Sequence, residues 1–190
     1  EKIADRFGEI QDYQYKLLKY YTEHYRIQKY APNSGYVHFL FNDMCPQSFY
    51  GVYDHWGLPK PGLDAMLESN MPQGIFLKYS RDHVDGIYAV NDDLEAVGDV
   101  QIKYVFTDGD GKVIASETVS VHLGADAAVH VCDVPLKAED HDVVNCALIM
   151  TKNGRVIHAN RYEDLFHMPA HVEGHPDRMS HEVGIRLYFA

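Results

Sequence analysis

The sequence predicts an α+β chain in which a helical segment is followed by an all-β segment. Two observations carry this prediction. In roughly the first 70 residues, apolar positions recur every three or four residues, and one short apolar run lies between two such stretches. From Gly74 onward, short runs of alternating apolar and polar residues are separated by turn residues. We expect the boundary between the two segments at residues 69–72.

The first predicted element is one amphipathic helix that occupies most of the chain before residue 36. Its apolar and aromatic positions lie three or four residues apart, at Tyr13, Leu17, Tyr20, Tyr21, His24 and Ile27. Tyrosines in such a stripe usually pack against a neighbouring element and keep their hydroxyls at the wet rim. A turn at residues 31–35, which includes Pro32 and Gly35, ends the helix.

The second element is a short apolar strand at residues 36–41, followed at once by the polar pair Asn42 and Asp43. A short apolar run that is closed by polar residues and followed by a helix is typical of a buried parallel strand. The following helix is predicted at residues 63–68. Functional sites on parallel sheets lie at the carboxyl ends of the strands, so Asn42 and Asp43 mark the candidate site.

The all-β segment contains six clear strand patterns. They lie at residues 86–90, 99–107, 113–123, 128–134, 145–151 and 156–162. Asn153-Gly154 favours a two-residue hairpin, and residues 107–112 predict another tight turn. Strands of this length and spacing predict an immunoglobulin-like sandwich, although the Cys, Trp, Cys signature of antibody domains is missing.

Composition and charge restrict the function classes. The chain has 190 residues, 46% hydrophobic and 24% charged, with a formal net charge of -11. This charge repels nucleic acid and anionic membrane surfaces, so we predict neither as a partner. We find no run of membrane-span length and no secretory signal, and we expect a soluble protein of undetermined compartment. The first residues also lack an initiating Met, so we expect the chain to be part of a longer protein.

The cysteines and histidines do not predict a metal site. Cys45, Cys132 and Cys146 lack metal-finger spacing, and the sequence leaves open whether Cys132 and Cys146 form a disulfide or stay free. Three histidines beginning at residue 167 are spaced by four residues, but the intervening Pro169 argues against a regular helix. We expect no metal and no organic cofactor, and the role of the tail after residue 168 stays open.

The order of motifs resembles glycoside hydrolase family 2, particularly its β-mannosidase-like branch. The family's closing barrel strand reads Gly-Gly-Val-Leu-Phe-Trp-Gln-Leu-Asn-Asp, followed by a turn that ends in Trp-Pro. Its last helix opens after a sequence like Tyr-Gly-Arg-Pro-Lys-Pro. The matching stretches here are Gly35-Tyr36-Val37-His38-Phe39-Leu40-Phe41-Asn42-Asp43-Met44-Cys45-Pro46 and Trp56-Gly57-Leu58-Pro59-Lys60-Pro61. Val90-Asn91-Asp92 resembles the opening of the family's immunoglobulin-like domain.

The resemblance implies that the chain is the C-terminal segment of a retaining exo-β-glycosidase. Residues 1–72 would be the end of the catalytic (β/α)8 barrel, with its last β/α unit, and residues 73–190 an immunoglobulin-like β-sandwich domain with a C-terminal tail. The parent enzyme would bind a β-linked oligosaccharide. In this segment Phe39, Asn42 and Asp43 would form one wall of the substrate pocket, and the sandwich would be a structural buttress.

The resemblance also implies that the segment holds no catalytic residue. A retaining glycosidase needs two carboxyl groups about 5 to 5.5 Å apart, and in this family both are glutamates on earlier barrel strands. Asp43 and Asp54 are candidates for a substitute pair, but carboxylates at strand ends are usually turn formers. Two family tryptophans are replaced by Phe39 and Cys45, which leaves the sugar open.

Two other interpretations compete with the enzyme. In one, the β segment is a non-catalytic immunoglobulin-like module that binds carbohydrate or protein, which predicts an exposed aromatic patch on the sandwich. In the other, unpaired barrel surface makes the isolated segment self-associate.

Overall fold

The computed structural model describes residues 6–47 and 50–167, and the chain divides into two compact units. Within the described residues, the first unit contains 6–20 and 37–68, and the second contains 21–36 and 69–167. Residues 21–36 are thus grouped with the β segment, whereas the sequence predicts a single boundary between 1–72 and 73–190. The assignment of these two ranges to domains of a parent enzyme stays a prediction.

Two α-helices match the predicted ones in place. Helix α1 spans Phe7–Ile27, and helix α2 spans Pro61–Ser69. Pro61 suits the first turn of α2, where its missing N–H would have no partner within the helix. In the first unit, Tyr15 Oη donates a hydrogen bond to Glu68 Oε2 at 2.6 Å, which links the two helices. Tyr15 lies outside the predicted stripe, and the stripe residue Tyr13 is buried.

The predicted strand at residues 36–41 is not formed. In the described part of the chain, this segment has irregular backbone, and Leu40 has a φ of 65°. The nearest pairing is one isolated parallel bridge between Asn42 and Tyr53. A parallel strand is held by hydrogen bonds to neighbouring strands, and the described residues supply only this short contact. The segment therefore lacks the sheet that would make it regular.

The β segment forms two antiparallel sheets. The strands are β1 Gln73–Tyr79, β2 Val84–Asn91, β3 Gly98–Thr107, β4 Val113–Leu123, β5 Ala127–Cys132, β6 Asn145–Lys152 and β7 Arg155–Tyr162. A 3-10 helical turn lies at Ala138–Asp140. The sheet orders are β1-β2-β5 and β4-β3-β6-β7. Six of the seven strands cover the predicted ranges closely, so the sandwich prediction is confirmed at the level of strands.

The two sheets share one apolar core. Along β3, inward and outward residues alternate as predicted, and Val100, Ile102, Tyr104 and Phe106 point inward. The core from the other sheet is supplied by residues such as Ile75 and Ile87. Burial of apolar side chains between the two sheets stabilises such a sandwich, by about 25 cal/mol for each Å² of apolar surface removed from water.

The β6–β7 hairpin has the predicted Asn-Gly turn. Asn153 and Gly154 have φ values of 51° and 76°. Two consecutive positive φ angles are those of a type I′ turn, whose twist matches that of the flanking strands. In the β3–β4 hairpin, Asp108 Oδ1 accepts hydrogen bonds from the main-chain N–H of Asp110 and Lys112, at 3.1 and 2.8 Å. Both turns therefore follow from local sequence.

The strand β1 is buried on both faces, unlike β3. Ile75 and Leu77 face the sandwich core, whereas Phe76 packs in a second cluster with Ile27 and Val90. Because both faces are covered, the sequence here is a continuous apolar run rather than an alternating one.

The turn between β1 and β2 holds a histidine between two carboxylates. His83 Nδ1 lies 2.8 Å from Asp82 Oδ1, and His83 Nε2 lies 3.0 Å from Asp85 Oδ1. The hydrogen bond with Asp82 raises the pKa of His83; slight burial opposes this, and Asp85 raises the pKa further. A group whose pKa is raised in the folded state stabilises the fold when the pH is below its unfolded-state pKa. This stabilisation is lost when the pH is above its folded-state pKa.

We therefore expect His83 to titrate above the ordinary histidine pKa of about 6.5. Asp85→Asn should lower this pKa, because it removes one carboxylate, and NMR titration of the imidazole measures it. The stabilising effect should be complete at acidic pH and lost as the pH rises through the folded pKa. Asp110→Asn, in a different turn, is the control. A His83 pKa at or below the ordinary value would contradict the arrangement.

Candidate functional site

The candidate site is built on a short parallel contact between two segments of the first unit. Phe41 O accepts hydrogen bonds from the main-chain N–H of Val52 and Tyr53, at 3.0 and 3.1 Å. Asp43 N–H donates to Tyr53 O at 3.0 Å. This contact places Asn42 beside Tyr53 and brings the chain after residue 50 next to the end of the predicted strand.

The carboxylate of Asp43 organises the loops around it. Its side chain is buried and accepts hydrogen bonds from Lys60 Nζ, from the Gly51 N–H at 2.7 Å and from Gln47 Nε2 at 2.9 Å. Burial by itself would raise the pKa of Asp43, but the hydrogen bonds from Lys60, Gly51 and Gln47 outweigh it and lower the pKa. Asp43 is thus an ionised acceptor that is already occupied, which suits a positioning group rather than a proton donor.

Lys60, the partner of Asp43, is equally buried. The side chains of Lys60 and Asp43 are 3% and 0% exposed. Lys60 N–H also donates to Val52 O at 2.9 Å, so main chain and side chain both tie it to this site. A buried charge is tolerated when a counter-ion and hydrogen bonds compensate its lost hydration. Sequence analysis included Lys60 in a motif but did not predict this pairing.

Gly51 has to be a glycine because the backbone approaches Asp43 closely. A Cβ atom at position 51 would lie 2.6 Å from both the main-chain N and the Oδ1 of Asp43. Gln14 Nε2 donates to Gly51 O at 3.0 Å, which fixes this loop to helix α1. Sequence analysis missed Gly51 and Gln14, since nothing local indicates a close approach to a residue eight positions earlier.

The other two predicted pocket residues are exposed. The Phe39 side chain is 64% exposed, and Asn42 is also exposed. Of the three predicted wall residues, only Asp43 lies within the buried hydrogen-bond network. Cys45 is exposed and free. The role of these residues in a sugar pocket stays a prediction.

Asp54 is a turn former. Its Oδ1 accepts hydrogen bonds from the main-chain N–H of Trp56 and Leu58, at 2.9 and 2.8 Å. Gly57 has a φ of 81°, which completes this tight loop. The loop holds Trp56, the one tryptophan of the sequence, with its side chain 75% exposed. Asp54 and Asp43 therefore both have structural partners in the described chain.

The described residues hold no disulfide and no metal-ligand cluster. All three cysteines are free, and burial raises the pKa of the Cys146 thiol well above its ordinary value. Residues 6–47 and 50–167 contain no group of three His, Cys, Asp or Glu side chains that could hold a metal ion. The histidine-rich stretch after residue 167 lies outside the described residues. Neither described helix is long and apolar enough to span a membrane.

Part of the chain is similar to a recognised domain type. Residues 86–168 match the family model described as Mannosidase Ig/CBM-like domain. The match begins within β2 and includes the strands from β3 to β7. No curated protein sequence matches the chain.

Two solved enzymes share the fold over most of the chain. The exo-chitosanase of Amycolatopsis orientalis has a TM-score of 0.70 and 18% identity, and the match covers 80% of this chain and 18% of that enzyme. The β-D-mannosidase of Dictyoglomus thermophilum has a TM-score of 0.69 and 21% identity, with coverage of 84% and 20%. At these identities the likeness shows the fold alone. The matched region spans about a fifth of the length of either enzyme.

Proposed function

We propose that this chain is the C-terminal segment of a retaining exo-β-glycosidase similar to the β-mannosidase-like branch of glycoside hydrolase family 2. One observation carries the proposal. The strands from β1 to β7 occupy about half of the chain, yet the fold likeness to the exo-chitosanase and the β-mannosidase extends over 80–84% of it. The likeness therefore includes residues beyond the sandwich, which supports an origin of residues 1–72 in the catalytic domain.

The exposure pattern before Asn42 supports a place in a barrel wall. Val37, Phe39 and Phe41 are all exposed apolar residues, whereas the residues between them, His38 and Leu40, are half-buried. If this segment is a strand in the parent enzyme, an alternation with period two is that of a strand with one face covered. In a parallel barrel one face of each strand points to the interior, where inward side chains of the other strands cover it. The parent enzyme would supply those strands from upstream of this chain.

In the proposed enzyme, this segment shapes the pocket and does not perform the bond cleavage. The nucleophile and the acid/base would be two carboxyl groups from earlier barrel strands, acting by double displacement. Phe39 would offer an apolar face to the sugar, and the exposed Asn42 amide would hydrogen-bond a hydroxyl group. Asp43 would hold the loop geometry through Lys60 and Gly51. The sugar and its linkage are left open by the replacement of two family tryptophans.

The full-length gene product tests the proposal. We expect it to hydrolyse an aryl β-mannoside or an aryl β-glucosaminide, and we expect the purified 190-residue chain to be inactive. Phe39→Ala in the full-length enzyme should lower kcat/KM roughly 10- to 150-fold, because about 1.5–3 kcal/mol of apolar contact is lost. Val156→Ala, at an exposed position of β7, is the control and should leave kcat/KM unchanged. Hydrolysis by the 190-residue chain alone would refute the proposal.

A non-catalytic binding module is the second candidate, and the family description Mannosidase Ig/CBM-like domain keeps it open. This candidate predicts an exposed aromatic patch on the sandwich. In the described part of the β segment, the large exposed apolar side chains are all aliphatic, at Leu94, Val113, Ile149 and Val156. The structure thus favours the enzyme segment. Self-association through the exposed apolar residues before Asn42 stays a prediction, and light scattering on the isolated chain tests it.

A further inference from the structure

One edge of the three-stranded sheet is closed by side chains instead of a strand. In the order β1-β2-β5, strand β1 has one edge that faces away from β2. The main-chain groups of alternate residues point toward this edge, namely those of Ile75, Leu77 and Tyr79. Open edges of this kind carry hydrogen-bonding groups that need partners.

Strand β7 supplies most of these partners. Ile75 N–H donates to His158 Nδ1 at 3.2 Å, and Leu77 N–H donates to Tyr162 Oη at 3.0 Å. Ile75 O accepts a hydrogen bond from Asn160 Nδ2 at 3.0 Å. The three β7 residues are spaced by two positions, so they lie on one face of the strand.

Helix α1 holds this row of side chains in place through Glu23. The Glu23 carboxylate is fully buried and accepts hydrogen bonds from Tyr162 Oη at 2.6 Å and Asn160 Nδ2 at 2.9 Å. Burial, together with the charge of Glu23, raises the pKa of Tyr162 well above its ordinary value, so its hydroxyl stays a donor. His24 Nε2 lies 3.1 Å from Tyr79 O and reaches the end of the same edge.

The chain after Glu23 continues along the sandwich with further buried contacts. Arg26 donates to Asp92 Oδ2 at 2.7 Å and to Pro72 O at 3.2 Å, and its guanidinium lies 5.0 Å from the centre of the Phe76 ring. Lys29 Nζ donates to Asp126 Oδ1 at 2.8 Å. These contacts join the end of α1 to the loops that follow β2 and β4.

We propose that residues 21–36 belong to the cooperative folding unit of the sandwich. In this unit Glu23 holds the β7 side chains that occupy the open edge of β1. A domain boundary placed at the start of β1 would then omit part of this folding unit. A boundary at residue 86, where the family match starts, would omit still more of it. The first two-thirds of α1, up to Tyr20, unfolds with the other unit. This inference does not depend on the proposed enzymatic function.

Amide hydrogen exchange on the full chain tests the proposal. We expect the amides of residues 22–27 to exchange with the same protection as the core of β3 and β6, and those of residues 10–18 to exchange separately. Glu23→Gln places an amide where two donors need acceptors. It should lower protection about ten- to one-hundredfold for residues 22–27 and for Ile75 and Leu77.

Two further variants make the outcome decisive. Glu9→Gln, on the exposed first turn of the same helix, should change no sandwich amide by more than about twofold. Tyr162→Phe keeps the ring and removes only the hydroxyl, so it should lower the protection of the same amides by a smaller factor. This variant tests the proposal even if Glu23→Gln does not fold. The proposal is wrong if residues 10–27 exchange as one unit and the sandwich amides are unaffected by either variant.

Discussion

Asp43→Ala is expected to lower the free energy of unfolding of the first unit by about 3–5 kcal/mol, because it leaves the Lys60 ammonium buried without its counter-ion. The side chain of Lys60 is 3% exposed, so water cannot replace the lost carboxylate without opening the loop. Urea unfolding followed by the fluorescence of Trp56 measures this effect, since Trp56 is the one tryptophan of the sequence and lies in the same unit.

A surface ion pair of the same chemistry is the matched control. Asp12 pairs with Lys16 at 3.2 Å on the exposed side of α1, and Asp12→Ala should cost at most about 1 kcal/mol. The double variant Asp43→Asn with Lys60→Met should be less damaging than Asp43→Ala, because it removes both charges together. If Asp43→Ala costs no more than Asp12→Ala, the buried pair does not hold this unit together.

The stabilisation from Asp43 should also depend on pH in a defined direction. Its folded-state pKa is lowered, so its contribution is present above the unfolded value of about 3.9 and is lost as the pH falls through the folded pKa. Asp43→Asn should therefore make the free energy of unfolding, measured by Trp56 fluorescence, decrease less as the pH is lowered.

Phe76→Ala is expected to lower the free energy of unfolding of the sandwich by about 3–5 kcal/mol. The Phe76 ring is fully buried, packs with Ile27 and Val90 and lies under the guanidinium of Arg26. The ring also covers Gly74 so closely that a Cβ there would lie 2.2 Å from Phe76 Cζ. Removing the ring would leave a cavity between α1 and the sheet.

Denaturant unfolding followed by circular dichroism of the strands measures this loss. Phe76→Leu should cost less than Phe76→Ala, because it keeps part of the apolar volume. Val156→Ala, at an exposed position of β7, should change the free energy of unfolding by less than about 0.5 kcal/mol. A loss below about 1 kcal/mol for Phe76→Ala would show that the cluster outside the main core contributes little.

Local chemistry alone was enough to predict much of the β segment. The alternation through Val100, Ile102, Tyr104 and Phe106 predicted β3, because one face of this strand meets the core and the other meets water. Asn153-Gly154 predicted its hairpin, since few other residue pairs adopt two positive φ angles. In both places the structural determinant lies within a few residues of the chain.

The strand predicted at residues 36–41 shows where local pattern is insufficient. Its apolar run has the composition of a buried strand, but regular strand geometry requires neighbours, and the described chain supplies only the bridge between Asn42 and Tyr53. The candidate site was predicted only in part, because some of its residues meet through contacts between distant parts of the chain. Asn42 and Asp43 were identified from their place after the run, whereas Gly51 was not, because its approach to Asp43 is a contact between two loops.

The sequence by itself determined the two helices, the six strands from β2 to β7 with their hairpin turns, and the position of Asp43 at the end of an apolar run, because each depends on spacing and residue type within a short window. Only the tertiary structure decided that Asp43 is buried against Lys60 and that Glu23 of helix α1 accepts a hydrogen bond from Tyr162 of β7. The two residues of each pair lie 17 and 139 positions apart in sequence, respectively. No local sequence pattern indicates which residue will be the partner at such a separation.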